Sequence, residues 1–142
     1  MKASKTMLTS LLKTTQMGQV GIRSVLDAST RPALRAALED QLREYDGIET
    51  ELHTIAGQRG WELQELDPAV RFLTDRMSRL KLSRGDCDST IADMMIQGNT
   101  KGMVKGLRQL NRYPRKDDRI ATAAQKLIDC ETANIRQMQQ FL

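Results

Sequence analysis

Histidine, cysteine and aromatic residues are scarce in this chain, and each shortage excludes a class of function. His53 is the one histidine, and no cysteine stands beside it at ligand spacing. Cys87 and Cys130 are the only two cysteines and lie too far apart in sequence for a disulfide framework. We therefore expect neither a nucleophile activated by a histidine base nor a histidine-based metal site. Reduced cysteines also favour a cytoplasmic location.

Long apolar runs are missing as well. Polar residues interrupt positions 1–13, so the start of the chain matches neither a signal peptide nor a membrane span. Aromatic residues make up 4% of the sequence, whereas eight residues are methionine. A core of Leu, Ile, Val, Ala and Met favours packed helices, and no strand pattern competes. The length of 142 residues suits a single domain, which we expect to span residues 1–142.

What the sequence does contain is helical periodicity in five segments. The predicted helices run from about Lys5 to Ala28, from Arg31 to Gln58, from Pro68 to near Ser83, from Asp88 or Ser89 to Arg112, and from Lys116 or Asp117 to Phe141. Four of them are long and similar in length, and the third is short. A short helix in the connection gives that connection the reach to travel the length of a bundle. This predicts an all-α four-helix bundle with a long crossover between the second and third long helices.

Helical spacing also predicts which side of each helix faces the core. The apolar stripe of the first helix is Leu8, Leu11, Leu12, Thr15, Gly18, Ile22, Val25 and Leu26, and that of the second is Leu34, Leu38, Leu42, Tyr45, Ile48, Leu52 and Ile55. The stripe of the last helix is Ile120, Ala124, Leu127, Met138 and Phe141.

In the short helix, the apolar stripe is Val70, Leu73, Met77 and Leu80. In the helix that follows, the predicted inner face consists of Ile91, Met94, Met95, Gly98, Met103, Leu107 and Leu110. Gly98, Gly102 and Gly106 are spaced by four residues in that helix and reduce its helix propensity. We expect them to admit another helix or a bulky side chain such as Tyr45 or Trp61.

The second predicted helix carries a family resemblance. The stretch from Leu34 through Gln41 and Tyr45 to the terminal pair Gly60 and Trp61 resembles the second helix of spore coat protein F-like and other small ferritin-like proteins. The resemblance covers about the first half of the chain. It implies a ferritin-like four-helix bundle whose relatives include coat proteins and other poorly characterised proteins, and it does not imply catalysis.

An acid interrupts the apolar stripe of the last helix. Glu131 is flanked by Leu127, Ile128, Ile135 and Met138, so helical spacing turns it inward. A desolvated carboxylate requires a partner. Metal is one possible partner, since ferritin-like di-metal proteins take a Glu from each of two helices and a Glu-x-x-His pair from each of the others.

The matching positions of this chain lack that ligand set. They are Gln41 with Glu44, Glu131 with Asn134, and the amides Gln16 or Gln19 and Gln97. Only Glu44 and Glu131 could supply anionic oxygen, which is too little for two hard cations. We instead expect a buried polar layer in which Gln41, Gln97 and Asn134 solvate the acids. The alternative for Gln41, Glu44 and Gln97 is that they face water.

Charge is unevenly distributed along the chain. Residues 1–70 hold eight Lys and Arg against ten Asp and Glu, whereas residues 71–142 hold fourteen against eight. Lys101, Lys105, Arg108 and Arg112 share one helical face. That face predicts contact with an anionic partner, or else a solvated surface. The shortage of stacking aromatics argues against recognition of nucleic acid bases.

Three functions follow, in this order of preference. The first is a non-catalytic structural or protein-interaction bundle, with a protein partner or self-association and no cofactor. The second is a carboxylate metal-binding protein, and the third is a binder of an anionic partner through the basic helix face. No small-molecule substrate can be identified from the sequence, and no set of residues identifies the chain as an enzyme.

Overall fold

The computed structural model describes residues 2–82, 87–113 and 117–142, and every described element is helical. The helices are α1 (Lys2–Val25), α2 (Pro32–Gln58), α3 (Pro68–Leu82), α4 (Cys87–Arg112) and α5 (Asp118–Gln139), with a 3₁₀ turn at Leu26–Ala28. The four long helices pack in a ring in the order α1, α2, α5, α4. The short helix α3 lies outside this ring and contacts α1 and α4. The all-α prediction and the short extra helix between the second and third long helices are confirmed.

The core is aliphatic, as the composition predicted. Leu8, Leu12, Leu38, Leu52 and Ile120 are each fully buried, and residues from all four long helices join one apolar cluster. Removing such side chains from water is the main stabilising term for a bundle of this size. The apolar stripes predicted for α1, α2 and α5 lie in this core.

The inward face predicted for α3 is wrong, whereas that predicted for α4 is correct at Ile91 and Met95 and wrong at Leu107. In α3, Leu73 and Met77 are 59% and 53% exposed, because Thr74 and Ser78 take the side next to the bundle. In α4, Leu107 is 40% exposed. The buried side of α4 instead runs through Ile91, Ala92, Met95, Asn99, Gly102 and Gly106. Small residues permit close helix contact, so on α4 they mark the inner face better than the large apolar residues do.

The stretch Ser29-Thr30-Arg31-Pro32 predicts a hydroxyl cap before α2, and the structure differs from that prediction. The N-cap residue Arg31 makes no side-chain cap, and Ser29 bonds back to the Leu26 carbonyl. Asp88, at the start of α4, accepts hydrogen bonds from the backbone N–H groups of Thr30 and Arg31 at 2.8 and 3.0 Å. Burial raises the pKa of Asp88, but these bonds and that from the Thr30 hydroxyl outweigh it, so the pKa is lowered.

Asp88 therefore fastens α2 to α4, and its replacement should cost stability. Asp88→Asn keeps one acceptor oxygen but loses the charge and one N–H partner. We expect the free energy of unfolding to fall by about 1.5 kcal/mol at pH 7, as for a lost hydrogen bond to a charged group. Urea unfolding measures this change. Asp93→Asn, on the exposed side of the same helix, is the matched control, and equal stability of the two variants would contradict the assigned role.

Candidate functional site

The buried carboxylate of Glu131 lies in the middle of α5 and is 2% exposed. Tyr45, from α2, places its hydroxyl 2.6 Å from Glu131 Oε1. The same hydroxyl lies 2.8 Å from Asn99 Oδ1 on α4. Three helices that are distant in sequence thus contribute one polar group each to a hydrogen-bonded set, which we call the Tyr45 cluster (Tyr45, Asn99 and Glu131).

The number of protons in this cluster limits how its hydrogen bonds can be arranged. The Tyr45 hydroxyl has one proton but faces two acceptor oxygens, Asn99 Oδ1 and Glu131 Oε1. If Glu131 is protonated, its O–H donates to Tyr45, and Tyr45 in turn donates to Asn99. If Glu131 is ionised, Tyr45 donates to it and the Asn99 amide must turn so that its N–H faces Tyr45. Asn99 Oδ1 facing Tyr45 therefore suits the protonated acid, and the reversed amide suits the ionised acid.

Burial affects the ionisation of each acidic group near the cluster. Desolvation raises the pKa of Glu131 to about 7, although the Tyr45 hydrogen bond lowers it. The pKa of Tyr45 is raised by burial and by the neighbouring Glu131 charge. Burial likewise raises the pKa of the Cys130 thiol, with a further increase from Glu44. The cysteine is therefore a neutral hydrogen-bond donor and not a thiolate nucleophile.

Two glycines make room for the cluster. A Cβ at Gly18 on α1 would lie 2.6 Å from Tyr45 Cζ, and a Cβ at Gly102 on α4 would lie 3.0 Å from Glu131 Cδ. Gly106 admits Ile128 in the same way, at 2.9 Å. At Gly98 a Cβ would meet nothing within 4 Å. The expected close approach of another helix to α4 therefore occurs at Gly102 and Gly106. The glycine against which Tyr45 packs is Gly18, on α1.

The amides predicted for a polar layer separate into two groups. Gln41 and Asn134 are 2% and 3% exposed. Gln41 donates to Gln137 at 2.8 Å, and Asn134 lies 3.6 Å from the Cys130 sulfur. Gln97 is exposed and bonds to Asp93 one turn earlier on the same helix, so it does not belong to the buried layer. Its side chain is exposed at the edge of a cavity between α1, α3 and α4, whereas Asn99 lies on the buried side of α4.

Glu44 and Glu131 do not share a partner. Glu44 is exposed and accepts a hydrogen bond from the Cys130 thiol at 3.0 Å, whereas Glu131 is bonded to Tyr45. Within residues 2–82, 87–113 and 117–142, no three His, Cys, Asp or Glu side chains lie close enough to hold a metal ion. His53, which could have supplied a nitrogen ligand, is exposed on α2 near Glu65. These residues do not fit a di-metal centre.

The basic face of α4 lies on the surface. Lys101, Lys105, Arg108 and Arg112 are all exposed, as a solvated or partner-binding face requires. Arg115 and Lys116, which would extend it, lie outside the described residues. Lys101 and Lys105 border a cavity between α1, α3 and α4, whereas Arg108 and Arg112 do not.

Comparison with known proteins supports the fold class. No protein-family model and no curated protein matches the chain. The structure is similar to the crystal structure of a DUF305 fragment from Deinococcus radiodurans, with a TM-score of 0.77 and 13% sequence identity. The match covers 99% of this chain and 95% of the other. At this identity the similarity shows a shared helical fold alone. None of the described helices has the length and hydropathy needed to cross a membrane.

Proposed function

We propose that this protein is a non-catalytic interaction bundle that binds an acidic protein partner through the outward side of α3. The exposed apolar stripe on that helix carries the proposal. The side chains of this stripe and of the adjacent Phe72 are 40% to 67% exposed. The stripe consists of Val70, Leu73, Met77 and Leu80. A contiguous apolar surface of this kind is typical of a binding site.

The fold of α3 explains why this stripe faces outward. The inward side makes polar contacts to α1: the Ser24 hydroxyl donates to Asp75 at 2.7 Å, and the Thr74 hydroxyl lies 3.6 Å from the Met17 sulfur. The pKa of Asp75 is lowered, chiefly by the Ser24 hydrogen bond. Polar contacts therefore fix one side of the helix, and the apolar side remains at the surface.

Charge favours an acidic partner over a second copy of the same face. The helix carries Arg71, Arg76, Arg79 and Lys81 against Asp75 alone. Two such basic faces would repel one another if they met across a two-fold axis. An amphipathic helix with acidic flanks would match both the charge and the apolar stripe. The basic face of α4 adds to the same attraction.

The proposal includes a ferritin-like core without a di-metal centre. Two features of the fold support it, namely the ring of four long helices and the crossover connection that contains α3. In addition, the Tyr45 cluster is present in the core where a di-metal protein would hold its metal ligands. An assembly role of the kind implied by the resemblance to spore coat protein F-like proteins is consistent with this proposal.

A labelled synthetic helix with leucine at the apolar heptad positions and glutamate elsewhere tests the binding face. We expect it to bind in fluorescence anisotropy, with an affinity that falls as salt screens the charges. Replacing Leu73 and Met77 with serine should weaken binding at least tenfold, because apolar contact area is lost. The matched control replaces Val104 and Leu107, which are 37% and 40% exposed on α4, and should leave the affinity unchanged.

Three results would overturn the proposal. One is equal binding by the Leu73 and Met77 double variant. Another is equal binding of a leucine and lysine helix, which would remove the argument from charge. The last is binding to anionic phospholipid vesicles in place of the acidic helix, which would assign the face to a membrane surface.

A further inference from the structure

A cavity of about 470 Å³ lies between α1, α3 and α4. This volume is within the range of small-molecule sites. Its walls include Met17, Ile22, Met94 and Met95, and glycines at positions 18, 21, 98 and 102 also line it. Methionine side chains adapt to the shape of apolar ligands. The cavity therefore offers an adaptable apolar channel beneath the crossover helix.

The inner end of the cavity contains a buried acceptor without a donor. Gln41 lines the cavity and is 2% exposed. Its amide nitrogen donates to Gln137, but its Oε1 has no hydrogen-bond partner among the residues that the structure describes. A buried carbonyl oxygen without a donor is costly, and most such groups in proteins are satisfied. The O–H or N–H of a bound molecule would supply the missing hydrogen bond.

The outer end is positively charged. Lys13, Lys81, Lys101 and Lys105 all line the cavity, and three helices contribute them. Across the described part of the chain, Lys13 bonds to the neutral Gln64, and none of the four forms an ion pair. Ammonium groups arranged around one opening attract an anionic group.

We propose that this cavity binds a small organic carboxylate with an apolar body and a hydroxyl at its far end. The carboxylate would lie among the four lysines and the apolar chain along the methionine walls. The hydroxyl would donate to Gln41 Oε1. This site is separate from the outward face of α3, so its test does not depend on the protein-binding proposal.

Three medium-chain probes distinguish the parts of this proposal by isothermal titration calorimetry with the full chain. They are 10-hydroxydecanoate, decanoate and decanol, each kept below the concentration at which it aggregates. We expect 10-hydroxydecanoate to bind most tightly and decanol at least tenfold more weakly than decanoate. Gln41→Leu should remove the preference for 10-hydroxydecanoate over decanoate, because the acceptor is gone.

Gly98 lies at the exposed edge of the cavity, where a larger side chain can narrow the cavity without disturbing the helix packing. It lines the cavity, and a Cβ there meets nothing within 4 Å. Gly98→Leu should therefore fold and yet reduce decanoate affinity at least tenfold. Gly47→Leu is the matched control, since position 47 on α2 is equally open but lies away from the cavity. Circular dichroism confirms that both variants are helical.

The charged opening is tested in the same way. Changing Lys101 and Lys105 to glutamine should weaken decanoate at least tenfold and leave decanol unchanged. Changing Arg108 and Arg112, which lie on the same helix but outside the cavity, should affect neither probe. The proposal is overturned if none of the three probes binds at the highest concentration at which it stays dissolved as single molecules, if Gly98→Leu binds decanoate as the natural chain does, or if decanol binds as well as decanoate.

Discussion

The stability of this protein should fall by about 3 kcal/mol between pH 4.5 and pH 8, and Glu131→Gln should remove most of that fall. The pKa of Glu131 is raised from 4.5 to about 7 by burial. In this window the folded state holds a proton that the unfolded chain has released, so stability decreases as the pH rises. Each pKa unit corresponds to about 1.4 kcal/mol, which gives the expected total.

Urea unfolding at half-unit pH intervals measures the effect. The neutral amide of Glu131→Gln can donate its N–H to the Tyr45 oxygen, as the protonated acid does. The variant and the natural chain should therefore be similar near pH 5 and diverge towards pH 8, with the variant the more stable. Glu62→Gln is the matched control, because Glu62 is exposed; its unfolding profile should follow that of the natural chain. A constant difference between Glu131→Gln and the natural chain at every pH would show that the acid is ionised throughout.

The second large effect is expected at Gly18. A Cβ at this position would lie 2.6 Å from the end of the Tyr45 ring. The ring is buried and its hydroxyl is held by Asn99 and Glu131, so it has little room to shift. Overpacking costs about 1–3 kcal/mol, and displacing the ring also breaks buried hydrogen bonds. We expect Gly18→Ala to destabilise the protein by about 2 kcal/mol in total.

Gly47→Ala is the control for that prediction. A Cβ at position 47 meets nothing within 4 Å, so only the helix propensity changes. Alanine is favoured over glycine by about 1 kcal/mol in a helix interior, and this variant should be stabilised by about that amount. The same chemical change therefore has opposite signs at two helical positions. Stabilisation of both variants in thermal or urea unfolding would show that Tyr45 does not depend on Gly18.

Much of the fold could be predicted from helical periodicity. The bounds of α2 and α4 agree with prediction to within one or two residues, because Pro32 and the stop near Arg112 are local signals. The large apolar residues of α3 gave the wrong inward side. The sequence of α3 alone does not indicate that Ser24 and Met17 of α1 form polar contacts with the side of α3 opposite its apolar stripe.

The Tyr45 cluster was predictable only in part. The spacing of α5 indicated that Glu131 faces inward, and it is 2% exposed. Helical spacing places Tyr45 in the apolar stripe of α2 and does not indicate that its hydroxyl bonds to the acid. Asn99 was missed altogether, although Met95, Asn99, Gly102 and Gly106 share helical spacing on α4. The pairing depends on how three helices are rotated about their axes, which the pattern of one helix does not specify.

The central claim is that Glu131 remains protonated up to about neutral pH in the folded protein. A carbon-13 NMR titration of the glutamate carboxyl groups measures this directly, with the Glu131 signal assigned by its absence from the Glu131→Gln spectrum. The account predicts a titration midpoint near pH 7 for that signal. A midpoint at or below pH 4.5, the value of an ordinary glutamate, would contradict it.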